Sequence, residues 1–307
     1  MNQIQEIFSL RIKEMQELVN QTNKSSVLII QQFPTDDDTT TKYPKVRESI
    51  SNILAFIELG TLDILKEVIK ISDGVFDYIV FDSDVKIKSS VDLIQEATIE
   101  VKKSIFFCYS DINSWTDSAV QFILQKEKGL INKKVFISGQ GILKDAVQSR
   151  IKLFNPIFVT KNVKADLIIG CEIKKKSVDV ENLFPLKNGG NAYDIGIGNF
   201  SIEFIEASKV RDCEVFRIDI RAGISSVILN ILETDFLIHK IMGKTVLNNI
   251  EIVAGGIMGN NRAVIVDDIN SPTNIIGIAD GIGNIKDTHD KHDINSMKFV
   301  ELLISKK

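Results

Sequence analysis

Cysteine, histidine and proline are scarce in this chain of 307 residues, which contains three, three and five of them respectively. Cys108, Cys171 and Cys213 lie far apart, and no Cys or His spacing matches a zinc site, so we expect no bound metal. An odd cysteine count and an N-terminus that resembles an amphipathic helix more than a secretory signal favour a reducing compartment. The expected location is therefore cytoplasmic.

Long apolar runs and basic stripes are also missing. No uninterrupted apolar segment reaches the length of about 18 residues that a membrane span needs, so no membrane association is expected. The formal net charge is −4, and the absence of a basic arm argues against a nucleic-acid partner. Neither a G-x-S-x-G elbow nor a P-loop is present. A small-molecule ligand is the remaining expectation.

Helical and strand patterns alternate along most of the chain, which predicts parallel β-sheet. Helices are expected at about 3–20, 45–58, 61–71, 89–102, 114–128, 142–154, 178–185, 201–208 and 224–242. Buried strands are expected at 26–31, 76–81, 104–108, 134–138, 156–160, 166–170, 191–195 and 215–220. The predicted fold class is α/β, with a Rossmann-type doubly wound parallel sheet, a smaller N-terminal α/β domain and a C-terminal antiparallel extension.

Three segments follow from this pattern. Residues 1–113 are predicted to form the N-terminal substrate domain, and 114–243 the Rossmann-like cofactor-binding domain. Residues 244–307 are predicted to be a β extension with short strands at 251–254, 263–266 and 275–279, joined by Gly, Asn and Asp turns. We expect this extension to pack on the core or to complete a homodimer.

A glycine turn, Gly139-Gln140-Gly141, lies between a predicted strand and the helix that begins at Ile142. In this position glycines permit a tight turn and a close approach of a phosphate-bearing ligand to the helix N-terminus. The third glycine of the dinucleotide fingerprint is replaced by Lys144. The next strand ends at Thr160-Lys161 rather than at the acid that usually binds the ribose. A threonine and a lysine at this strand end favour a cofactor with a 2′-phosphate. Alternatively, the ribose is bound by other residues.

Later strand ends are expected at the same sheet edge, because ligands bind at the carboxyl ends of parallel strands. The candidate cofactor-binding residues are Gly139, Gln140, Gly141, Ile142, Thr160, Cys171, Glu172, Asp194, Gly196, Gly198 and Asn199.

The candidate substrate residues lie in two places: directly after the third predicted strand, and in a loop near residue 42. Ser110 is a possible N-cap of the connecting helix, but polar groups and the single tryptophan gather around it. The candidates are Ser110, Asn113, Trp115, Thr116, Asp117 and Lys42, with Lys45 nearby.

The segments WTDSAVQFIL…INKKVFISGQG and ADLIIG…LKNGGNAYDIGIGNF resemble two-domain NAD(P) enzymes of the shikimate dehydrogenase and methylene-tetrahydrofolate dehydrogenase type, over about residues 110–220. This resemblance implies NADP or NAD as cofactor. The catalytic lysine of shikimate dehydrogenase has no placed counterpart in the sequence.

Chain length, the altered glycine fingerprint and the composition also resemble the pyridinol C-methyltransferase family of iron-guanylylpyridinol cofactor biosynthesis, which serves [Fe]-hydrogenase in methanogenesis. This resemblance implies S-adenosylmethionine as cofactor and methylation of a pyridinol ring carbon. Orientation of the methyl donor and the ring would then supply most of the catalysis.

Three hypotheses follow, and the catalytic residues stay unassigned. The leading one is the S-adenosylmethionine-dependent pyridinol methyltransferase. The second is an NAD(P)-dependent dehydrogenase of a small hydroxy or amino acid, in which Lys42 or Lys45 and Asp117 polarise the substrate. The third is a non-catalytic ligand-binding protein.

Overall fold

The N-terminal part of the chain is a five-stranded sheet with helices packed on it. In the computed structural model, which describes residues 3–173, 175–179, 181, 186–218 and 221–305, the strand order is β2-β3-β1-β4-β5. Only β2 runs antiparallel to its neighbour. The elements are α1 (Gln3–Thr22), β1 (Ser25–Gln32), β2 (Arg47–Glu48), β3 (Asn52–Leu59), α2 (Leu62–Ser72), β4 (Tyr78–Asp82), α3 (Ser90–Glu100) and β5 (Ile105–Tyr109).

Strand β3 occupies much of the segment predicted as a helix at 45–58, and that prediction is wrong. Residues 53–57 (ILAFI) form a continuous apolar run, and periodicity alone cannot distinguish such a run from a buried helix. The strand pairs with β1 in parallel from Ser25–Asn52 to Gln32–Leu59. It is buried along nearly its whole length, as expected for a parallel strand covered by helices on both faces.

A second five-stranded sheet follows, and all of its strands are parallel, in the order β10-β9-β8-β6-β7. The α/β class with parallel sheets is therefore confirmed. The helix predicted at 178–185 lies largely outside the described residues. The elements are α4 (Asp111–Glu127), β6 (Lys134–Ser138), α5 (Ile142–Lys152), β7 (Ile157–Phe158), β8 (Ala165–Gly170), β9 (Leu186–Asp194), α6 (Ile202–Val210) and β10 (Glu214–Arg217).

Both sheets have a topological switch point. In the first sheet the strand order reverses at β1, so the crevice lies between the carboxyl ends of β1 and β4. In the second sheet the order reverses at β6, and the crevice lies between the ends of β6 and β8. Each crevice is where a ligand of such a sheet is expected to bind.

Helix α4 connects the two sheets. It begins directly after β5, and its apolar side chains enter the buried core of the second sheet. Ile112 and Trp115 from its first turns belong to the same buried cluster as Ile137, Leu143 and Ile195. The first turn of α4 therefore lies at the carboxyl edge of the first sheet while the helix packs on the second.

The C-terminal part contains a four-stranded sheet with the order β11-β12-β13-β14. The three predicted strands are present. The pairing is mixed rather than purely antiparallel, because residues 255–263 return the chain across the sheet and make β12 parallel to β13. The elements are α7 (Arg221–Phe236), a π-helical turn (Leu237–Ile241), β11 (Gly243–Leu247), β12 (Ile250–Ala254), β13 (Val264–Val266), β14 (Ile275–Ile278) and α8 (Lys291–Ile304).

The chain divides into two compact units, Met1–Val227 and Ile228–Lys307. The second unit has its own core, in which Ile252, Val264 and Ile278 pack with Val300 of α8. The three-segment division at residues 113 and 243 stays a prediction. Within the described ranges, no helix combines the length and apolarity that crossing a bilayer requires.

Candidate functional site

A buried lysine lies between two carboxylates at the carboxyl edge of the first sheet. Strand β4 ends at Asp82, Lys86 follows in the next loop, and Asp111 opens α4. The Lys86 Nζ lies 2.7 Å from Asp82 Oδ2 and 2.5 Å from Asp111 Oδ2. The side chains of Lys86, Asp82 and Asp111 are only 5%, 0% and 7% exposed. We call these three residues the Lys86 triad.

Neutral side chains fix the orientation of the triad. Gln31 Nε2 and the Tyr109 hydroxyl donate to Asp111 Oδ1 at 2.9 and 3.2 Å. Gln32 Nε2 donates to the backbone carbonyls of Asp82 and Asp84 at 2.7 and 2.9 Å. The buried Gln32 Oε1 has no hydrogen-bond partner within the part of the chain that the structure describes.

Burial and charge act in opposite directions in the triad. Burial raises the pKa of the Asp82 carboxyl to about 6, opposed by Lys86 and reinforced by Asp111. Burial would lower the pKa of Lys86, but attraction by Asp111 and then Asp82 outweighs it, so the pKa of the ammonium group is raised. Burial and Asp111 also raise the pKa of Tyr109 well above its usual value. At neutral pH, Lys86 is charged and Tyr109 is a neutral phenol.

This geometry suits proton transfer to a substrate oxygen. An ammonium group has three N–H donors, and the two carboxylates account for two of them. The third would be the one to stabilise negative charge on a substrate oxygen and to donate a proton, which is the role of a general acid. The two carboxylates hold the donor in one orientation.

Sequence reasoning missed the whole triad, although Ser110 and Asn113 on either side of Asp111 were among the candidates. The signal available in the sequence was that two predicted strands end in segments with acidic residues, FDSDVK and YSDIN. Because carboxyl ends of adjacent parallel strands meet at one edge, the two acidic ends predict a shared site once β4 and β5 are known to be neighbours.

In the second sheet, the two glycines of the turn have different neighbours. Gly139 has φ +113°, and a Cβ there would lie 2.8 Å from the Glu172 backbone nitrogen. Gly141 has φ +83°, and no described atom lies within 4 Å of the position its Cβ would take. Gly139 is therefore required by the chain's own packing, whereas Gly141 faces open space where a ligand has room.

The carboxylate of Glu172 already occupies the mouth of the turn. Its Oε2 accepts a hydrogen bond from the Gln140 backbone N–H at 2.7 Å. The Glu172 backbone is held on both sides by Asn199, whose Oδ1 accepts from the Glu172 nitrogen at 2.8 Å and whose Nδ2 donates to the Glu172 oxygen at 2.9 Å. The side chain is thus aimed at the turn by a fixed backbone.

The loop after β9 completes this network. Asp194 accepts hydrogen bonds from the Gly198 nitrogen at 2.7 Å and from Asn199 Nδ2 at 2.8 Å. Gly196 is packed so closely against the Glu172 carbonyl that a Cβ would lie 2.0 Å from its oxygen. Ile197 has φ +69°, a strained conformation for a β-branched residue. Asn199 is fully buried and uses its amide internally, whereas Gly198 is exposed.

The other predicted cofactor residues differ in accessibility. Cys171 is fully buried, and burial strongly raises the pKa of its thiol, which makes it a core residue. Ile142 is 60% exposed, and Thr160 and Lys161 are exposed just beyond β7. The structure brings together Gly139, Gln140, Glu172, Asp194, Gly196 and Asn199. Their binding roles stay predictions.

The predicted substrate residues on α4 do not converge on one point. Ser110 caps the helix and accepts from the Asn113 nitrogen. Trp115 is buried in the core, with no partner for its Nε1 among the described residues. Asp117 is 52% exposed and paired with Arg150 on α5. Asn113 and Thr116 instead line a shallow cavity of about 300 Å³ between α4 and α5.

Lys42 lies opposite Glu58 of β3 and is paired with it at 2.5 Å, with 43% of its side chain exposed. Lys45 is exposed. In neither case does the structure give a contact to the Lys86 triad. The polarising role predicted for Lys42 or Lys45 stays a prediction.

No protein-family model and no curated protein matches the chain. Among solved structures it is similar to a methylenetetrahydrofolate dehydrogenase/cyclohydrolase from Thermoplasma acidophilum, at 12% identity and TM-score 0.35, covering 68% of this chain and 88% of that one. A chorismate mutase/shikimate 5-dehydrogenase fusion from Clostridium acetobutylicum matches at 15% identity and TM-score 0.36, covering 64% and 85%. An ornithine carbamoyltransferase from Campylobacter jejuni matches at 11% identity and TM-score 0.35, covering 75% and 96%.

Likeness of this size assigns neither a family nor an activity to the chain. The resemblance to pyridinol methyltransferases gains no support from these comparisons.

Proposed function

We propose that the protein is an NAD(P)-dependent oxidoreductase that interconverts a small hydroxy or amino acid and the corresponding carbonyl or imine compound. The observation that carries this proposal is the Lys86 triad, a buried ammonium group held by Asp82 and Asp111. It lies at the carboxyl edge of the first sheet, where ligands of parallel sheets are expected to bind. Methylation of an electron-rich pyridinol ring needs orientation more than a proton donor. Reduction of a carbonyl needs a proton at the developing alkoxide.

Each residue of the triad has a role in this reaction. When bound, the reduced nicotinamide supplies the hydride to the carbonyl carbon. Lys86 donates a hydrogen bond and then a proton to the carbonyl oxygen, and it regains a proton from solvent. Asp111, held by Gln31 and Tyr109, orients the lysine.

The cofactor would bind at the carboxyl edge of the second sheet, next to the glycine turn. The open space around Gly141 and the exposed Gly198 fit a ligand that approaches the turn closely. Beyond β7 the exposed Thr160-Lys161 pair replaces the usual acid, which favours the 2′-phosphate of NADP over the ribose hydroxyls of NAD. Lys161 is the cation that would hold this phosphate.

Calorimetric titration with NADPH, NADH and S-adenosylhomocysteine in parallel tests the cofactor. We expect micromolar binding of NADPH and weaker binding of NADH. Binding of S-adenosylhomocysteine alone would overturn the proposal in favour of the methyltransferase. Binding of none of the three would favour a non-catalytic protein.

Substitution of Lys86 tests the chemistry. We expect Lys86→Arg to retain the fold, because a guanidinium keeps the charge between the two carboxylates, and to lower kcat at least about 100-fold, since arginine does not release its proton. Turnover is measured by NADPH oxidation with a panel of small keto acids, while calorimetry follows the Kd of the cofactor. We expect that Kd to be unchanged.

The matched control is Lys126→Arg, which alters an exposed, ion-paired lysine at the other end of α4. It should leave both kcat and cofactor binding as in the wild type. Equal kcat in Lys86→Arg and the wild type would remove Lys86 from the mechanism.

A further inference from the structure

We infer that the Glu172 carboxylate is a built-in competitor for the phosphate groups of the cofactor and sets how tightly the glycine turn binds them. This inference rests on the proposed function, because it concerns a phosphate-bearing cofactor. It goes beyond it in identifying a residue that opposes binding at the turn.

The contact that carries the inference is the hydrogen bond from the Gln140 N–H to Glu172 Oε2, at 2.7 Å. Backbone N–H groups at the start of a helix are the donors that bind phosphate in sheets of this topology. Here the donor is already taken by an anion from the same chain. A phosphate at this position meets a carboxylate of like charge and finds the N–H occupied.

The backbone around Glu172 is fixed, so only its side chain has to move. Asn199 holds both the nitrogen and the oxygen of Glu172, and it also accepts from the Ser177 hydroxyl at 2.6 Å. The Glu172 nitrogen also lies 2.8 Å from the position of a Gly139 Cβ, which shows how closely the two strand ends approach. Rotation of the carboxylate away from Gln140 frees the turn without displacing either strand.

Two features around the glycine turn would favour an anion once the Glu172 carboxylate has rotated away. Lys144 lies in the first turn of α5, and its positive charge opposes the rise that burial causes in the pKa of the Cys171 thiol. Gly141 leaves open space beside the same turn. Glu172 therefore places a negative charge beside the N-terminus of α5, where a phosphate would otherwise interact with the partial positive charge of the helix.

The test compares the binding of four probes to three variants. NADPH, NADH, inorganic pyrophosphate and adenosine are titrated calorimetrically into the wild type, Glu172→Gln, Glu172→Ala and the control Asp145→Asn. Asp145 is an exposed carboxylate in the first turn of α5, so the control makes the same change in charge without touching Gln140. Thermal unfolding of each variant confirms that the fold is intact.

We expect Glu172→Ala to bind pyrophosphate and NADPH at least about tenfold more tightly than the wild type, and Glu172→Gln to lie between them, because glutamine loses the charge but keeps an acceptor. Adenosine, which has no phosphate, should bind equally in all variants. Asp145→Asn should change phosphate binding less than twofold.

Unchanged or weaker phosphate binding in both Glu172 variants would overturn the inference, as would an equal gain in Asp145→Asn. The proposed function fails separately. If the Glu172 variants gain affinity for pyrophosphate while no variant binds a nicotinamide cofactor, the inference stands and the oxidoreductase proposal does not.

Discussion

Asp82 and Lys86 place opposite charges where water is excluded, and the balance between burial and pairing sets their protonation. A buried carboxylate without a partner is strongly penalised, but Lys86 at 2.7 Å offsets much of that cost. Burial, reinforced by the second negative charge on Asp111, outweighs this effect and keeps the pKa of Asp82 raised, at about 6. Between about pH 4 and pH 6, the folded protein therefore holds a proton at Asp82 that the unfolded chain has released.

This shift predicts an unusual pH dependence of stability at one residue. Because the pKa of Asp82 is higher in the folded state than its usual value of about 3.9, its stabilising contribution is complete below pH 4 and is lost as the pH rises through about 6. Asp82→Asn removes that loss. We expect the free energy of unfolding of Asp82→Asn, relative to the wild type, to rise by up to about 3 kcal/mol between pH 4 and pH 7.

Urea unfolding at several pH values measures this difference, and its change with pH is independent of any constant offset that the asparagine introduces. Asp92→Asn, which removes a carboxylate on the surface in the first turn of α3, is the control. A difference that does not change with pH for Asp82→Asn would contradict the raised pKa.

At the scale of elements, the β6–α5 turn combines a structural glycine and an open one. Both have positive φ, so alanine is strained at either position. Only at Gly139 does a Cβ also collide with backbone, at 2.8 Å from the Glu172 nitrogen. At Gly141, glycine is needed only for the backbone conformation. At Gly139, close packing against the Glu172 backbone requires glycine as well.

We expect Gly141→Ala to lower the free energy of unfolding by about 1–3 kcal/mol. Gly139→Ala should lower it more, because the backbone at Glu172, just beyond β8, has to move to make room for the Cβ. Chemical denaturation of the two variants under the same conditions measures the difference. Equal losses of stability in the two variants would mean that the backbone at the end of β8 shifts at no cost in free energy. If the open space at Gly141 is used by a ligand, Gly141→Ala should also weaken NADPH binding.

Helix α4 illustrates how one element serves two sheets. Its N-cap, Ser110, satisfies a backbone donor of the first turn, which fixes the start of the helix next to Asp111. Its apolar face then enters the core of the second sheet. The polar residues that suggested a substrate site in the sequence are partly this cap and partly an exposed ion pair, Asp117–Arg150.

At the scale of the whole molecule, the C-terminal unit forms a separate core. Its edge strand β11 exposes Val246 and Leu247 at 58% and 43%, and an exposed edge with apolar side chains is a surface that other chains tend to cover. The homodimer expected from the sequence stays a prediction.

Removal of residues 244–307, the part of this unit that contains its sheet and α8, tests its role. We expect the wild type to sediment as a dimer and the chain ending at Gly243 to lose the dimer, the activity or both, because β11 to β14 and α8 are deleted. Sedimentation velocity and NADPH oxidation measure the two properties, and circular dichroism checks the fold. A truncated chain that is folded, monomeric and fully active would leave the unit without either role.

The sequence by itself determined the class of fold and most element positions. Alternating apolar runs and glycine or asparagine turns specify parallel strands with helical connections, and the ends of those strands at Gly139, Glu172, Asp194 and Asn199 were predicted to share an edge, as the structure shows. It failed at β3, where a run buried on both faces has no period that separates strand from helix.

Only the tertiary structure decided which polar residues meet. Lys86 and Asp111 are 25 residues apart, and they pair because β4 and β5 are neighbours in the sheet. The functions of Gly139 and Gly141 are likewise indistinguishable in sequence, since the difference lies in what a Cβ would touch. Local patterns determine where a strand ends, but contacts across the sheet determine which chemistry is assembled there, because the pairing partner comes from a distant part of the chain.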